Sequence, residues 1–269
     1  MPPSVLFTVL LPVHRPPALL PFAVRSVLAQ TLTDFELIII CDGPPRETVQ
    51  CALDFAAHDA RISVLDRPKG QGLGEAHRHE ALTTARGEMV AQIGDDDLWM
   101  PHHLEEMRKL LTVVDFGNLS HVDVKDGTVR LRAVDLAAAW TRRRMLAQRW
   151  SMFGPTVTGY RLDAYRGLPE GWSPGPPELW SDLYMWRKFL RAEDLRFGSR
   201  IAVTSLKFGA YPRAALSWDD RIAEIRAWAE RIGDPLQCEA IAQEALLRLA
   251  RLSARDQVLA EDLKAASPP

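Results

Sequence analysis

The chain has 269 residues with 33 Lys or Arg against 35 Asp or Glu, so its formal net charge is −2 and general attraction to nucleic acid or to an anionic membrane is not expected. Its 47% hydrophobic content is typical of a globular protein with one large domain or two small ones. Three cysteines are too few for a disulfide framework, and no run approaches the roughly 18 apolar residues of a membrane-spanning helix. We therefore expect a cytoplasmic protein.

In the first part of the chain, continuous apolar runs alternate with segments whose apolar residues have the spacing of one face of a helix. Strands are predicted at residues 5–13, 35–41, 61–65 and 88–93, and helices at about 17–30, 46–58 and 75–86. The run Val5 to Leu11 lacks a basic leader, which favours a strand over a signal peptide. Mostly apolar strands that alternate with helices indicate an α/β fold with a parallel sheet covered on both faces.

The pattern changes after residue 110. We predict short strands over 118–135 and 200–217, helices over 133–150 and 181–192, and a proline-rich loop region over 154–178. From residue 219 two or three amphipathic helices are predicted, with a break at Gly233-Asp234-Pro235. The expected organisation is a doubly wound, nucleotide-binding-like half over 1–110, a further part over 111–218, and a helical extension over 219–269.

Three consecutive carboxylates, Asp95, Asp96 and Asp97, follow the fourth predicted strand. They repel one another unless a cation lies between them, and the carboxyl ends of strands are where open α/β sheets bind ligands. An acidic N-cap for the next helix is the alternative, although one Asp would be enough for that role. The triplet is therefore a candidate metal site.

The loop Gly70-Gln71-Gly72-Leu73-Gly74 allows a dinucleotide-binding interpretation, because it follows a strand and precedes a helix. Three features count against it. A ribose clamp needs one carboxylate and not three, the glycine spacing lacks its standard third position, and the loop follows the third strand instead of the first.

Several segments together resemble the family 2 glycosyltransferases of GT-A fold. They are Pro12-Val13-His14-Arg15, Ser26-Val27-Leu28-Ala29-Gln30-Thr31, Phe35 to Gly43, Ala85-Arg86-Gly87-Glu88, and the triplet with Trp99 and Pro101. The ordered set covers residues 5–110, and weaker similarity continues to about residue 217. The resemblance implies a Rossmann-like, mostly parallel sheet flanked by helices. It makes residues 1–110 the nucleotide-sugar-binding half and residues 111–218 the acceptor-binding and catalytic half of the same domain. It also implies inverting transfer of a sugar from a nucleotide-diphospho-sugar, with UDP favoured, to a hydroxyl acceptor in glycan synthesis.

The resemblance also assigns donor-site residues. It places Pro12, Val13 and His14 beside the base, Asp42 on the base, and Arg78 on a phosphate. Cys41 stands where the family commonly has another Asp, and is interpreted as packing.

For the metal, Asp97 is the predicted direct ligand, with Asp95 or Asp96 on the ribose or on metal waters. Gly94 replaces the first Asp of the family motif. Mn²⁺ or Mg²⁺ suits such an all-oxygen site. Arg213 is a predicted phosphate contact, in a segment with Lys207 and Tyr211 that the family places near the diphosphate.

The resemblance makes Asp182 the catalytic base, which takes the proton of the acceptor hydroxyl. Ser181 or Asp182 as a plain N-cap is the alternative, and Glu178 is the reserve candidate for the base. Trp172, Trp180 and Trp186 either stack on sugar rings or pack in the core.

Other interpretations stay open at this stage. The cluster Arg142-Arg143-Arg144 with Arg149 is read as a solvated helix face, with a lipid-linked or anionic acceptor, or attachment to the inner membrane face, as the alternative. The C-terminal apolar stripes allow a homodimer. The acceptor is a glycan, a lipid-linked sugar or another hydroxyl compound. A sugar nucleotidyltransferase and a non-catalytic nucleotide-sugar-binding scaffold are the rival functions.

Overall fold

The computed structural model describes residues 5–209 and 213–266, with side chains described as far as residue 257. Its strands are β1 (Val5–Val13), β2 (Phe35–Asp42), β3 (Ile62–Arg67), β4 (Gly87–Gln92), β5 (Leu98–Trp99), β6 (Phe116–Leu119), β7 (His121–Lys125), β8 (Thr128–Arg132), β9 (Thr158–Arg161), β10 (Phe197–Arg200) and β11 (Ser205–Leu206). Its helices are α1 (Leu20–Leu28), α2 (Arg46–His58), α3 (Glu75–Thr84), α4 (His103–Leu111), α5 (Ala139–Ala147), α6 (Leu162–Arg166), α7 (Ser181–Leu190), α8 (Trp218–Gly233) and α9 (Pro235–Ala266).

The central sheet has the strand order β10-β6-β9-β4-β1-β2-β3 among the described residues. Every neighbouring pair is parallel except the two that β9 makes with β4 and β6. Every residue of β2 is buried, which explains its nearly continuous apolar run. The predicted α/β class with a mostly parallel sheet is confirmed.

Strand order reverses at β1. The chain runs from β1 outward to β2 and β3, then crosses back to place β4 on the other side of β1. Because β1 and β4 are parallel, their carboxyl ends open at the same edge of the sheet. Such a switch point leaves a crevice between the departing loops, where open α/β sheets bind ligands.

The predicted loop region 154–178 was wrong in part, because it contains β9 and α6. Gly159 lies within β9, and a glycine in so short a segment favours the prediction of a loop. In the structure this glycine serves close packing. An added Cβ there would lie 2.4 Å from the sulfur of Met107 on α4. The glycine therefore lets α4 approach the sheet closely, and pairing with β4 and β6 on both sides defines the strand.

A second apolar cluster lies outside the main sheet. The hairpin β7–β8 packs on α9, while α8 contacts α1. The cluster includes Leu98, Met100, Val122, Val129, Leu206, Phe208, Ile225, Trp228, Ile232 and Ile241. The helices after residue 218 thus share a core with residues that follow the acidic triplet. Among the described residues, no helix combines the length and apolar character that crossing a bilayer requires.

Candidate active site

The switch point brings together Arg15, which follows β1, and the triplet, which follows β4. Arg15 donates from Nη2 to Asp95 Oδ1 at 2.5 Å and from Nε to Asp95 Oδ2 at 3.1 Å. Its Nη1 donates to Asp96 Oδ2 at 2.8 Å. One guanidinium therefore clamps two of the three carboxylates, in the forked geometry that arginine favours.

Asp97 is directed away from this clamp and is fully buried. Its Oδ2 accepts from Thr156 Oγ1 and from Lys207 Nζ, the latter at 3.0 Å, while Oδ1 accepts from the Phe208 N–H at 3.0 Å. Burial alone would raise the pKa of Asp97, but the charge of Lys207 and these hydrogen bonds lower it below its usual value. Asp97 thus ties the loop after β4 to the segments around Thr156 and Lys207.

Asp95 and Asp96 lie nearer the surface, with 5% and 6% of their area exposed. Burial raises the pKa of Asp95 to about 6, against the opposing charge of Arg15. Arg221 of α8 adds a second cation, 3.7 Å from Asp96 Oδ2. Within the described residues, the Nε and Nη2 atoms of Arg221 have no hydrogen-bond partner. This part of the site therefore holds donors that are free to bind an added anion.

Asp42 ends β2 and is enclosed by the glycine-rich loop. It accepts from the Gly70 N–H at 2.7 Å and from Lys69 Nζ, and only 3% of its side chain is exposed. Burial tends to raise its pKa, but the bonds from Lys69 and Gly70 lower it. Gly74 has φ +75°, and an added Cβ would lie 2.8 Å from the Asp42 carboxylate. The glycines therefore let the loop wrap around this carboxylate.

Asp182 lies in the first turn of α7. The N-cap residue is Trp180, which makes no side-chain capping bond, and Asp182 Oδ1 accepts from the Leu183 N–H at 2.7 Å. Burial raises the pKa of Asp182, and the charges of Lys207 and Arg78 offset this only in part. Gly154 lies opposite, since a Cβ there would come within 3.6 Å of Asp182 Oδ2. Glu178, the reserve candidate, is exposed on the surface.

Arg78 and Lys207 are the two cations whose charges act on Asp182. Arg78 donates from Nη1 to Leu73 O at 2.8 Å, and its guanidinium lies 5.1 Å from the centre of the Trp172 ring. Burial lowers its pKa, and its Nε has no partner within the described residues. Lys207 keeps 30% of its side chain exposed while it binds Asp97. Both cations are close enough to affect Asp182.

Other predicted residues have different surroundings. Val13 is buried, Pro12 is half-buried and His14 is exposed at the mouth of the switch point. Arg213 is 5% exposed, donates to Glu224 Oε1 at 2.7 Å and to Val124 O at 2.9 Å, and so joins α8 to β7. Its phosphate contact stays a prediction, and Tyr211 lies outside the described residues.

The three tryptophans divide between core and surface. Trp172 and Trp186 are buried in the main core, whereas Trp180 is 43% exposed beside Asp182. Trp180 is therefore the one of these three that is available to a sugar ring. Cys41 is buried, and burial raises the pKa of its thiol to about 12, as expected for a packing residue.

The donor atoms at the triplet fit a hard divalent cation. Asp96 Oδ1 accepts no hydrogen bond from the described residues, whereas both oxygens of Asp97 are used. No group of three or more His, Cys, Asp or Glu side chains in the described part could hold a metal alone. Mg²⁺ commonly binds one or two carboxylates together with substrate phosphates, so a shared site of that kind suits these residues.

The sequence profile described as Glycosyl transferase family 2 matches residues 8–165, which is more than half of the chain and includes β1, the triplet and Thr156. The chain belongs to glycosyl transferase family 2. The resemblance found in the sequence is thereby confirmed, and the family membership counts against the sugar nucleotidyltransferase alternative.

Individual relatives match over shorter stretches. An uncharacterized glycosyltransferase of Nostoc sp. is 33% identical over 108 residues, 39% of this chain and 33% of that protein. The Escherichia coli UDP-Glc:alpha-D-GlcNAc-diphosphoundecaprenol beta-1,3-glucosyltransferase WfgD is 30% identical over 100 residues, 37% of this chain and 38% of that protein. The matched region thus spans little more than a third of either relative.

One solved structure shares the fold over almost the whole chain. The mannosyltransferase PcManGT from Pyrobaculum calidifontis, in complex with GDP-Man and Mn²⁺, has a TM-score of 0.57 at 17% identity. The match covers 99% of this chain and 77% of that one. The predicted GT-A fold is confirmed by this likeness.

Five contacts of the site were not predicted from the sequence: Lys69 on Asp42, Arg15 on the Asp95–Asp96 pair, Thr156 and Lys207 on Asp97, and Arg221 near Asp96. Arg15 and Lys69 adjoin motifs that the sequence did reveal. Arg221 lies on a helix with no family signal, and only the packing of α8 against α1 brings it to the triplet.

Proposed function

We propose that this protein transfers a sugar from a nucleotide-diphospho-sugar, with UDP favoured, to a hydroxyl acceptor with inversion at the anomeric carbon. The observation that supports it is the position of Asp182. A carboxylate with a raised pKa faces Lys207 and Arg78, and Lys207 in turn binds Asp97 next to the Asp95–Asp96 pair. We infer from these contacts that the base and the groups that bind the diphosphate act at one site.

In the proposed reaction Asp182 accepts the proton of the acceptor hydroxyl as that oxygen attacks the anomeric carbon. The new glycosidic C–O bond forms while the bond from the anomeric carbon to the diphosphate oxygen breaks, and its electron pair leaves with the nucleotide. Lys207 and Arg78 lie where they would balance the charge that develops on the diphosphate. Because this is one displacement, with attack from the face opposite the leaving diphosphate, the configuration at the anomeric carbon is inverted.

We further propose that the reaction is metal-dependent and that Asp96, and not the predicted Asp97, is the direct ligand of Mn²⁺ or Mg²⁺. Asp96 Oδ1 is free of hydrogen bonds within the described residues, whereas Asp97 is fully enclosed. When bound, the ion would supply positive charge to the leaving diphosphate. Asp95, clamped by Arg15, would orient Asp96 or bind the ribose.

For binding of the nucleobase of the donor, we keep the predicted role of Asp42, with one structural condition. Lys69 covers the carboxylate, and Lys69 itself is 49% exposed. We propose that Lys69 moves aside when the nucleobase binds, so that Asp42 can accept a hydrogen bond from the imide N–H of uracil. The Gly70 N–H bond would remain and hold the carboxylate in position.

The names of similar proteins support a nucleotide-sugar donor but do not identify its nucleotide or its sugar. WfgD takes UDP-Glc, whereas PcManGT was solved with GDP-Man and Mn²⁺, so the nucleotide and the sugar have to be measured. A role in glycan synthesis, a cytoplasmic location and a homodimer remain predictions. Light scattering that gave a single-chain mass at every concentration would rule out the dimer.

The test is release of UDP or GDP from a panel of nucleotide-sugars with Mn²⁺, read together with the thermal midpoint. A substrate donor should raise the midpoint and be hydrolysed slowly, because water replaces the acceptor. Arg78→Ala should weaken both effects, whereas Arg108→Ala on the far helix α4 serves as the control. A donor that binds but is never cleaved with Mn²⁺ or Mg²⁺ would favour the scaffold alternative.

A further inference from the structure

The surface around α5 combines exposed aromatic and aliphatic side chains with arginines. We call it the basic–aromatic face, and define it by Trp140, Arg143, Arg144, Arg149, Trp150, Trp180 and Ile201. Trp140 is 57% exposed and Ile201 is 65% exposed. Large apolar side chains so exposed, in one region, mark an interaction surface more often than a solvated one.

Three of the four apolar members of this face lie together. Trp140, Trp150, Met152 and Ile201 line one open groove of about 690 Å³. The groove also carries Asp135, whose carboxylate accepts from the Ala137 N–H and so is tied to its own loop. The groove is thus predominantly apolar, with one carboxylate that already has a partner.

The arginines of the face lack acidic partners in the described part of the chain. Arg144 lies 4.4 Å from the Trp150 ring centre and donates to Gln148, and Arg149 lies 5.0 Å from the Trp180 ring centre. Arg143 is exposed. Because the chain as a whole carries a net charge of −2, the positive charge here is local. An anionic partner would be attracted to this face and not to the protein in general.

The face adjoins the proposed acceptor side of the cleft. Arg187 of α7 donates to Met145 O and to Gln148 O, each at 2.8 Å, and so fixes the end of α5 against α7. Trp180, at the edge of the face, immediately precedes the turn that carries Asp182. A partner bound to the face would therefore lie beside the proposed base.

We propose that the basic–aromatic face docks the protein on a membrane surface containing anionic phospholipids. Arginines attract the anionic headgroups, while Trp140 and Ile201 enter the interface, a combination typical of peripheral membrane binding. Docking would present a membrane-anchored acceptor to Asp182. That consequence rests on the proposed transfer activity, whereas the docking itself does not.

The test is co-sedimentation of the full chain with two vesicle types, phosphatidylcholine alone and phosphatidylcholine mixed with phosphatidylglycerol. Binding is expected only to the mixed vesicles. Arg143→Glu with Arg144→Glu should weaken it by about tenfold or more, since each basic residue contributes to attraction near the surface. The matched control is Arg251→Glu with Arg255→Glu, which makes the same charge change on exposed positions of α9.

A second variant, Trp140→Ser with Ile201→Ser, tests the apolar contribution without any change of charge. It should reduce binding to the mixed vesicles and leave the thermal midpoint unchanged, because both side chains are exposed. Absence of binding, equal binding to both vesicle types, or equal losses in the α5 and α9 charge variants would each overturn the proposal. Nucleotide-sugar cleavage, measured without vesicles, reports separately on the proposed function.

Discussion

The carboxylates on the proposed donor side of the site and the one on its proposed acceptor side have opposite pKa shifts. On the donor side, Asp42 and Asp97 are held by lysine and backbone N–H donors, and these bonds bring their pKa values below the usual range in spite of burial. On the acceptor side, Asp182 has one hydrogen bond from the Leu183 N–H and a raised pKa. The comparison separates carboxylates that organise the site from one that is suited to accept a proton.

The largest effect is expected from Asp182→Asn. Loss of a general base lowers the rate by roughly 10²–10⁴-fold, while the donor side keeps its contacts, so donor binding should persist. The measurement is kcat for nucleotide release, with donor affinity determined by calorimetry. Glu178→Gln is the control and should behave as wild type. Full activity in Asp182→Asn would show that Asp182 is not the catalytic base.

The second comparison lies within the triplet. Asp96→Asn should lose activation by Mn²⁺ on the order of 10²-fold, because the free Oδ1 of the carboxylate is the proposed ligand. A modest fall in the thermal midpoint is also expected, because Arg15 and Arg221 lose the negative charge that lies beside them. The measurement is the dependence of nucleotide release on Mn²⁺ concentration. Unchanged Mn²⁺ dependence would return the ligand role to Asp97 or Asp95.

Asp97→Asn should instead act on stability. It leaves Lys207 without its charge partner, at a cost of about 2 kcal/mol in the free energy of unfolding. Because the folded pKa of Asp97 is lowered, the wild-type advantage is full above the unfolded value of about 3.9 and is lost as pH falls through the folded value. Denaturant unfolding at several pH values measures both. A stable variant with no Mn²⁺ activation would contradict the structural role.

A smaller effect is expected at Arg213, where the test distinguishes a stabilising contact with Glu224 from a contact with the donor phosphate. Arg213→Lys removes the forked contact with Glu224 and should cost about 1 kcal/mol, with the donor KM unchanged. Glu224→Gln should give a similar loss and is the matched variant. A raised donor KM at constant stability would instead support the predicted phosphate contact.

The smallest effect concerns pH. Since Asp182 must be ionised to act, and its pKa is raised by burial, activity should fall as pH drops through a value above the ordinary 3.9. The acid limb of kcat/KM for nucleotide release reports it. Glu178→Gln should leave that limb in place. An acid limb with an apparent pKa at or below about 3.9 would show that the pKa of Asp182 is not raised in the free enzyme.

Prediction from sequence succeeded where a feature is local. The runs that became β1, β2 and β4 are mostly apolar because most of their residues are buried, and the loops after β2 and β4 follow at once in the chain. It failed at β9, since four residues containing Gly159 hold no periodicity that distinguishes a strand from a loop. Pairing with β4 and β6 decides that strand.

The sequence by itself determined the family, the parallel sheet and the set of carboxylates from which the site is drawn. Tertiary structure alone decided how those carboxylates are used. Lys207 meets Asp97, and Arg221 approaches Asp96, across more than a hundred residues of chain. Charge partners act through space over a few ångströms, so chain order carries no record of them. In the described residues both oxygens of Asp97 accept hydrogen bonds, Asp96 keeps one oxygen free of them, and burial raises the pKa of Asp182.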